Sequence, residues 1–139
     1  KCDCMVIDFG TALTFTVIVD NKIVGVNIAP GINTALGSLT KNAAQLGDVP
    51  LELPKSVVGK DTTTALQAGI LWGYVGLVER MIDRIAAEVG KPLKIAATGG
   101  LAHGLEPLKD KFDLIDKHLT LEGINLMANY FSQTSSSPK

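Results

Sequence analysis

The fold of this chain is decided by residues 4–19, which read CMVIDFGTALTFTVIV. The apolar run Cys4–Ile7 is typical of a buried strand, and Leu13–Val19 has the Thr, Val, Ile and Phe content of another. A tight turn is predicted at Asp20-Asn21-Lys22, after which Ile23–Ala29 returns as a third strand. The beginning of the chain is therefore predicted to fold as consecutive strands joined by turns.

Four later segments carry the apolar spacing of helices, and two carry that of buried strands. The helices are predicted at 32–46, Thr62–Val89, Leu105–Lys111 and Thr120–Phe131, and the strands at Leu93–Ala97 and Phe112–Ile115. Asp61 or Thr62 is expected to cap the long helix, and Thr120 the last one. Because strands alternate with helices after an antiparallel hairpin, the predicted fold class is α/β, with a mixed sheet flanked by helices. Residues 1–131 are expected to form one domain, and residues 132–139 a flexible polar tail.

The bulk composition excludes several classes of function. The 139 residues suit one domain, and a net charge of −1 gives no electrostatic case for binding nucleic acid or an anionic membrane. No apolar run is long enough to span a bilayer, and the first residues lack the pattern of a secretion signal. Cys2 and Cys4 lie too close in an extended chain to pair. We therefore expect a cytoplasmic protein with reduced thiols. Because the chain opens almost inside a core strand, we also expect the polypeptide to continue upstream.

The strongest chemical feature is the turn that follows Asp8. A buried strand delivers the Asp8 carboxylate at its end, and the small residues Gly10 and Thr11 follow at once. The N–H groups of Gly10 and Thr11, with the hydroxyls of Thr11 and Thr14, could cradle a phosphate, while Asp8 could hold a cation that binds one. A hairpin turn with a capping aspartate explains the pattern equally well, so both interpretations stay open.

Two further turns carry polar or glycine residues. Thr98-Gly99-Gly100 follows a predicted buried strand, where ligands of open α/β sheets bind, and paired glycines let a nucleotide lie against the backbone. An ordinary strand-to-helix turn is the commoner reason for such a pair. Val58-Gly59-Lys60-Asp61-Thr62 is similar to the end of a P-loop, but the upstream glycine and the preceding strand are absent, which excludes a Walker motif. These residues either cap the long helix or contact a polar ligand.

The long helix carries an unusual number of glycines. Gly69, Gly73 and Gly76 lie on or near one of its faces. Glycine weakens a helix, so three on one face predict a close approach of another helix or a sheet. Trp72, beside them, is assigned to the core or to an interface rather than to a substrate contact.

Taken together, these stretches resemble the type III pantothenate kinases, a family of the actin-like, ribonuclease-H-like kinase superfamily. The motifs occur in the family's order over nearly the whole chain, up to about Leu126. They are Asp8-x-Gly-Thr-Ala-x-Thr, Gly25-x-x-Ile-Ala-Pro-Gly31, Ala44-Gln45-Leu46, Val58-Gly-Lys-Asp-Thr62, Gln67-Ala-Gly69 and Thr98-Gly-Gly100. Each motif is modest alone, and the ordered set is specific.

The resemblance implies two related actin-like halves with ATP in the cleft between them, this chain being the C-terminal half. The implied function is ATP-dependent phosphorylation of pantothenate to 4'-phosphopantothenate, the first step of coenzyme A biosynthesis. Asp8 is similar to the carboxylate that binds an activating monovalent cation, potassium or ammonium, and Thr62 to a threonine that touches pantothenate. The ATP and phosphate contacts implied are Gly10, Thr11, Thr14, Gly99 and Gly100. The resemblance also implies Mg²⁺ with the ATP, and a homodimer with the long helix at its interface.

Departures from the family pattern predict that this chain cannot catalyse the reaction alone. Gly25 is followed by Val26, where the family usually has a second glycine. The family's first phosphate loop and its Gly-Ala-Asp-Arg motif, which carries the general base, are absent. We therefore expect the chain to be inactive without its N-terminal half. We also expect poor solubility, because Cys4–Ile7 and the long helix would expose apolar surface. Two alternatives stay open: a related actin-like kinase of another small alcohol, and a non-catalytic regulatory member of the family.

Overall fold

The computed structural model of the chain describes residues 2–41, 49–102 and 104–135. Within these residues the sheet has five strands: β1 (Cys4–Phe9), β2 (Ala12–Val19), β3 (Lys22–Pro30), β4 (Lys94–Thr98) and β5 (Leu114–Ile115). They lie in the order β3-β2-β1-β4-β5. The β1–β2 and β2–β3 pairs are antiparallel, whereas β1–β4 and β4–β5 are parallel. The predicted mixed sheet, opening in an antiparallel hairpin, is confirmed.

The described residues form four α-helices: α1 (Ile32–Lys41), α2 (Thr62–Gln67), α3 (Gly73–Val89) and α4 (Leu119–Ser135). Buried residues of α1 and α3 join the core beside the sheet, whereas residues 120–133 of α4 are all exposed. A π-helical turn at Ala68–Trp72 joins α2 to α3, so the predicted long helix is present but changes its winding near its first third. It ends at Gly90, whose left-handed φ of 67° is the conformation in which helices commonly stop.

The turn between β2 and β3 follows from its sequence. Asp20 and Asn21 both have positive φ, 52° and 62°. Two consecutive left-handed residues match the right-handed twist of a two-residue hairpin, and Asn and Asp tolerate this conformation better than other non-glycine residues. The tight turn predicted at Asp20-Asn21-Lys22 is confirmed.

The core lies between one face of the sheet and α3. Met5 and Ile7 of β1 are completely buried, and they share one apolar cluster with Val78 and Ile82 of α3. Burial of each such side chain contributes about 1.5–3 kcal/mol. Residues of β1 that point to the other face, including Val6 and Asp8, are only half-buried. The sheet therefore presents one dry face and one accessible face, and Asp8 lies on the accessible one.

Several predicted boundaries were wrong. The helix predicted at 105–111 is a 3₁₀ helix, Glu106–Lys111, with a proline near its start, where the missing N–H costs no bond. Thr120 is not a cap, because α4 begins at Leu119, and the helix runs past Phe131 to Ser135. The described part of α1 ends at Lys41, and the remainder of the helix predicted over 32–46 lies outside the described residues.

The glycines of the long helix face outward. Gly69, Gly73 and Gly76 are exposed, and a Cβ added to any of them would meet no atom within 4 Å. The close approach predicted from them is therefore not made by any described residue of this chain. Trp72 is half-buried against the core, and its Nε1–H donates to the Pro54 carbonyl at 3.0 Å. Its assignment to the core is confirmed.

The structure bears on two predictions, one about the cysteines and one about membrane-spanning segments. Cys2 and Cys4 are both free, and burial raises the pKa of the Cys4 thiol. In the described part of the chain, no helix combines the length and the apolar content needed to cross a bilayer.

Candidate active site

Three polar residues meet where β1, β2 and β4 lie side by side. Asp8 of β1 is paired with Thr14 of β2 in the antiparallel register and with Thr98 of β4 in the parallel one. Directly opposed residues point to the same face of a sheet, so the carboxylate lies between two threonines. Thr98 is 3% exposed, whereas Asp8 and Thr14 are half-buried. The arrangement places one carboxylate and two hydroxyls together at the carboxyl ends of parallel strands.

Gly99, directly after β4, packs closely against the end of β1. Its φ is 93°, and a Cβ there would lie 2.6 Å from the Phe9 carbonyl oxygen and 2.7 Å from Oδ1 of Asp8. Only glycine combines this backbone conformation with so close a contact. Gly99 therefore fixes how the end of β4 approaches the Asp8 carboxylate.

The turn between β1 and β2 offers fewer donors than the sequence predicts. The N–H of Gly10 donates to the Ala12 carbonyl at 3.1 Å, so this amide serves the turn itself. The prediction that Gly10 and Thr11 both present free N–H groups is wrong for Gly10. Thr11 is exposed, and its amide and hydroxyl remain as the donors that the turn presents.

A glycine from the end of β3 packs on this turn. A Cβ on Gly31 would overlap the carbonyl oxygens of Gly10 and Thr11, so no other residue fits there. The Gly31 N–H donates to the Thr11 carbonyl at 2.9 Å, and Oγ1 of Thr34, in the first turn of α1, donates to the same oxygen at 2.8 Å. The Thr11 carbonyl thus uses both of its lone pairs.

A cavity of about 530 Å³ opens beside these contacts. Its lining residues are Phe9, Gly10, Thr11, Asn33, Thr34, Gly100 and Leu101. The volume lies in the range usual for small-molecule sites. Three predicted ATP-contact residues, Gly10, Thr11 and Gly100, therefore share one cavity. Thr14 and Gly99 do not line it and instead border Asp8.

Sequence reasoning missed Asn33 and Thr34. Both belong to the first turn of α1 and line the cavity together with Gly100. A signal was present, because the Pro30-Gly31 pair ends a strand and directly precedes a helix. That signal marks a turn but does not say that the turn folds back onto residues 10 and 11.

Thr62 lies outside this cavity, at the start of α2. Asp61 is the N-cap, and its Oδ1 accepts from the Thr64 N–H at 2.8 Å, while Oγ1 of Thr64 accepts from the Asp61 N–H at 3.2 Å. Hydrogen bonds to its carboxylate, above all from the Thr64 N–H and then from the Thr64 side chain, lower the pKa of Asp61. Because Asp61 is the cap, capping does not account for Thr62, whose side chain is exposed in the first helical turn.

A second groove, of about 420 Å³, lies between β3 and α3. Val17 and Ile85 line its apolar part, and Arg84 and Glu88 its polar part. It contains none of the residues predicted to bind ATP, pantothenate or a cation. The cavity beside Thr11 is therefore the candidate active site.

The chain is similar in sequence to one family of known proteins. A family profile described as type III pantothenate kinase matches residues 1–84. Over 129 residues the chain is 45% identical to a type III pantothenate kinase of Paracoccus denitrificans, covering 92% of this chain and 50% of the relative. Over 125 residues it is 48% identical to one of Acidiphilium cryptum, covering 89% of this chain and 47% of that relative.

Among solved structures, the chain resembles a Campylobacter jejuni protein described as a Baf family transcriptional activator. The TM-score is 0.63 at 23% identity, over 94% of this chain and 59% of the other. This likeness shows the fold alone. The chain spans about half the length of its kinase relatives and matches their C-terminal half.

Proposed function

The chain belongs to the type III pantothenate kinase family, and from that premise we propose that the complete protein phosphorylates pantothenate with ATP, this chain being its C-terminal half. The product, 4'-phosphopantothenate, is formed in the first step of coenzyme A biosynthesis. The observation that carries the proposal is the cavity at the carboxyl ends of β1 and β4. Thr11 and Gly100, both exposed, line this cavity, whose volume is in the range of small-molecule sites.

In this proposal the cavity holds the nucleotide. Thr11 donates to phosphate oxygens through its N–H and hydroxyl, and Gly100 forms a flat wall. Open space at Gly100 supports the second role, since a Cβ there would meet no atom within 4 Å. Gly10 keeps the turn narrow, and Gly99 fixes the end of β4. Neither glycine is assigned a direct bond to ATP.

Asp8 is proposed to hold a monovalent cation, potassium or ammonium. The donor set fits such an ion, because one carboxylate lies between the hydroxyls of Thr14 and Thr98 beside the cavity. Among the described residues no group of three His, Cys, Asp or Glu side chains could hold a metal together. Mg²⁺ is therefore proposed to arrive on the ATP phosphates. When bound, the two ions supply positive charge against which phosphate charge can develop.

The acceptor is proposed to lie on the Thr62 side. Phosphoryl transfer needs the pantothenate hydroxyl in line with the γ-phosphate, and a base that takes its proton. The exposed Thr62 hydroxyl, not used as a helix cap, is available to position pantothenate. The base is proposed to come from the N-terminal half. The present chain contributes the Thr11 turn. Its N–H and hydroxyl donors stay in fixed positions while negative charge develops on the phosphate oxygens.

Partners and location are also proposals. The N-terminal half is the first partner, because relatives are about twice as long as this chain. A homodimer through the long helix is supported by the exposed glycine face at Gly69, Gly73 and Gly76, which lets another surface approach its backbone. Gly73→Leu in the complete protein is then expected to give monomers in analytical ultracentrifugation. A cytoplasmic location follows from the same metabolic role.

The proposed function is tested with the complete purified protein. ATP consumption is measured with pantothenate and, in parallel, with other small primary alcohols, and products are identified by mass spectrometry. Pantothenate-dependent ADP formation with 4'-phosphopantothenate as product supports the proposal. Turnover only with another alcohol indicates a related small-molecule kinase. ATP binding without turnover of any acceptor indicates a non-catalytic member.

A further inference from the structure

The long helix donates three side-chain hydrogen bonds to carbonyl groups of prolines. Nε2 of Gln67 donates to Pro50 at 2.8 Å, and Nε1 of Trp72 donates to Pro54 at 3.0 Å. The Tyr74 hydroxyl donates to Pro30 at 2.6 Å. All three donors lie within or beside the π-helical turn. Such turns are rare in proteins overall, but many of those that occur lie at functional sites. This segment thus joins the helix to the end of β3, before α1, and to residues 50–54, after α1.

The Tyr74 bond leads directly to the candidate active site. Pro30 is followed by Gly31, whose N–H donates to the Thr11 carbonyl. Tyr74 is 8% exposed, so its ring is held by the core while its hydroxyl reaches the end of β3. The position of the Pro30-Gly31 peptide, and through it the position of Thr11, therefore depends on a side chain 44 residues further along the chain.

Thr34 holds the same atom from a second side. Its Oγ1 donates to the Thr11 carbonyl at 2.8 Å, alongside the Gly31 N–H at 2.9 Å. Two donors on one carbonyl oxygen fix the plane of the Thr11–Ala12 peptide. Thr34 lines the cavity, but its hydroxyl proton is used in the bond to the Thr11 carbonyl and is not available to a phosphate oxygen, so its effect on phosphate binding passes through Thr11.

We propose that Tyr74 and Thr34 are positioning residues for ATP: they hold the Thr11 main chain in the orientation that presents its donors to the nucleotide. The inference rests on the proposed function, in that ATP is taken as the occupant of the cavity. Tyr74 acts through Pro30 and Gly31, whereas Thr34 acts directly on the Thr11 carbonyl. Pantothenate binding on the Thr62 side is independent of both.

The test uses the complete protein with four substitutions. Thr34→Val and Tyr74→Phe each remove one hydroxyl while keeping the shape of the side chain, and Thr34→Ser restores the hydroxyl. Thr40→Val is the matched control, because its hydroxyl donates only to Leu36 and Gly37 within α1. Three quantities are measured for each: the Kd for ATP by calorimetry without pantothenate, the KM values for ATP and pantothenate, and the melting temperature.

Thr34→Val and Tyr74→Phe are expected to raise the Kd and KM for ATP about threefold to tenfold, the effect of losing one neutral hydrogen bond. The KM for pantothenate is expected to stay unchanged. Thr34→Ser is expected to recover wild-type ATP affinity, and Thr40→Val to keep it. Equal effects of Thr34→Val and Thr40→Val on ATP affinity would overturn the proposal, as would a lower melting temperature with unchanged ATP affinity.

Failure of the proposed function is distinguishable from failure of this inference. If the wild-type protein binds ATP but phosphorylates another acceptor or none, the proposed function fails, and the Kd comparison still decides the roles of Thr34 and Tyr74. If the wild-type protein binds ATP and pantothenate is phosphorylated while both variants bind ATP normally, only the positioning roles are refuted. A wild-type protein without affinity for ATP refutes both.

Discussion

Replacing Gly99 by alanine tests whether this glycine is needed for packing at the end of β4, as distinct from the role proposed for Gly100 in lining the nucleotide site. The added Cβ would lie 2.6 Å from the Phe9 carbonyl oxygen and 2.7 Å from Oδ1 of Asp8, and the backbone φ is 93°. Strain at such a φ costs about 1–3 kcal/mol, and overpacking a tight contact costs about 1–3 kcal/mol. We expect the free energy of unfolding of the complete protein to fall by about 2–6 kcal/mol.

Gly100→Ala is the matched control. A Cβ there would meet no atom within 4 Å, and Gly100 does not have a positive φ. Its effect on stability is expected to be neutral or favourable by about 0.4–1 kcal/mol, since alanine restricts the unfolded chain. Because Gly100 lines the cavity, its methyl group is expected to raise the KM for ATP without lowering stability.

Urea denaturation followed by circular dichroism measures both variants, with ATP titrations beside it. The Gly99 variant should also lose cation activation, because relief of the overlap moves either the strand end or the Asp8 carboxylate. An alanine at 99 that leaves both the unfolding midpoint and cation activation at wild-type values would refute the packing argument. Equal destabilisation by alanine at 99 and at 100 would refute it as well.

Further substitutions test the other roles. Asp8→Asn is expected to reduce turnover strongly and to weaken potassium or ammonium activation with little change in melting temperature, measured by coupled assays across cation concentrations. Thr62→Val should raise the KM for pantothenate more than that for ATP, by a factor equivalent to about 0.5–1.5 kcal/mol; equal shifts of both constants would contradict the assignment. Asp61 has a lowered pKa, so its contribution to stability is complete above its ordinary value of 3.8 and is lost as the pH falls through the lower, folded-state pKa. Acid melting curves should therefore show the wild-type protein losing stability relative to Asp61→Asn, which keeps a neutral cap.

The elements of the fold were predictable because local signals agreed. The hairpin from β2 to β3 has left-handed Asp20 and Asn21 at the position where the sequence predicts a tight turn. The strands were predicted from apolar runs and β-branched residues, and the start of the long helix from the capping residues Asp61 and Thr62. The π turn at Ala68–Trp72 was not predicted, because an extra residue in a helical turn leaves apolar spacing nearly unchanged over so short a segment.

The expected location of the exposed apolar surface was wrong. Cys4–Ile7 was expected to face a missing half of the protein, yet Met5 and Ile7 are fully buried in this chain's own core. The reason is the period of two along a strand, which sends alternate residues of a uniformly apolar run to opposite faces. Large exposed apolar side chains lie instead mainly on the outer strand β3, where Ile23 and Ile28 are 67% and 74% exposed, and on α4, where Leu121 and Leu126 are 64% and 69% exposed. An apolar run in the sequence does not indicate which part of the protein buries each of its two faces.

The candidate site was predictable residue by residue but not as an arrangement. Asp8, Thr11 and the Gly99-Gly100 pair were predicted as site residues because they lie at or just after the ends of β1 and β4, and parallel strands end at one edge of a sheet. What holds Thr11 is set by contacts distant in sequence: 23 residues separate it from Thr34, and 44 separate Pro30 from Tyr74. No local pattern encodes such pairs. Because both lone pairs of the Thr11 carbonyl are occupied, the turn cannot rotate without breaking a bond to α1 or to the end of β3. In the proposed function, a turn that is fixed in this way keeps its donors in place before the nucleotide arrives, which is the condition under which backbone dipoles stabilise developing charge most effectively.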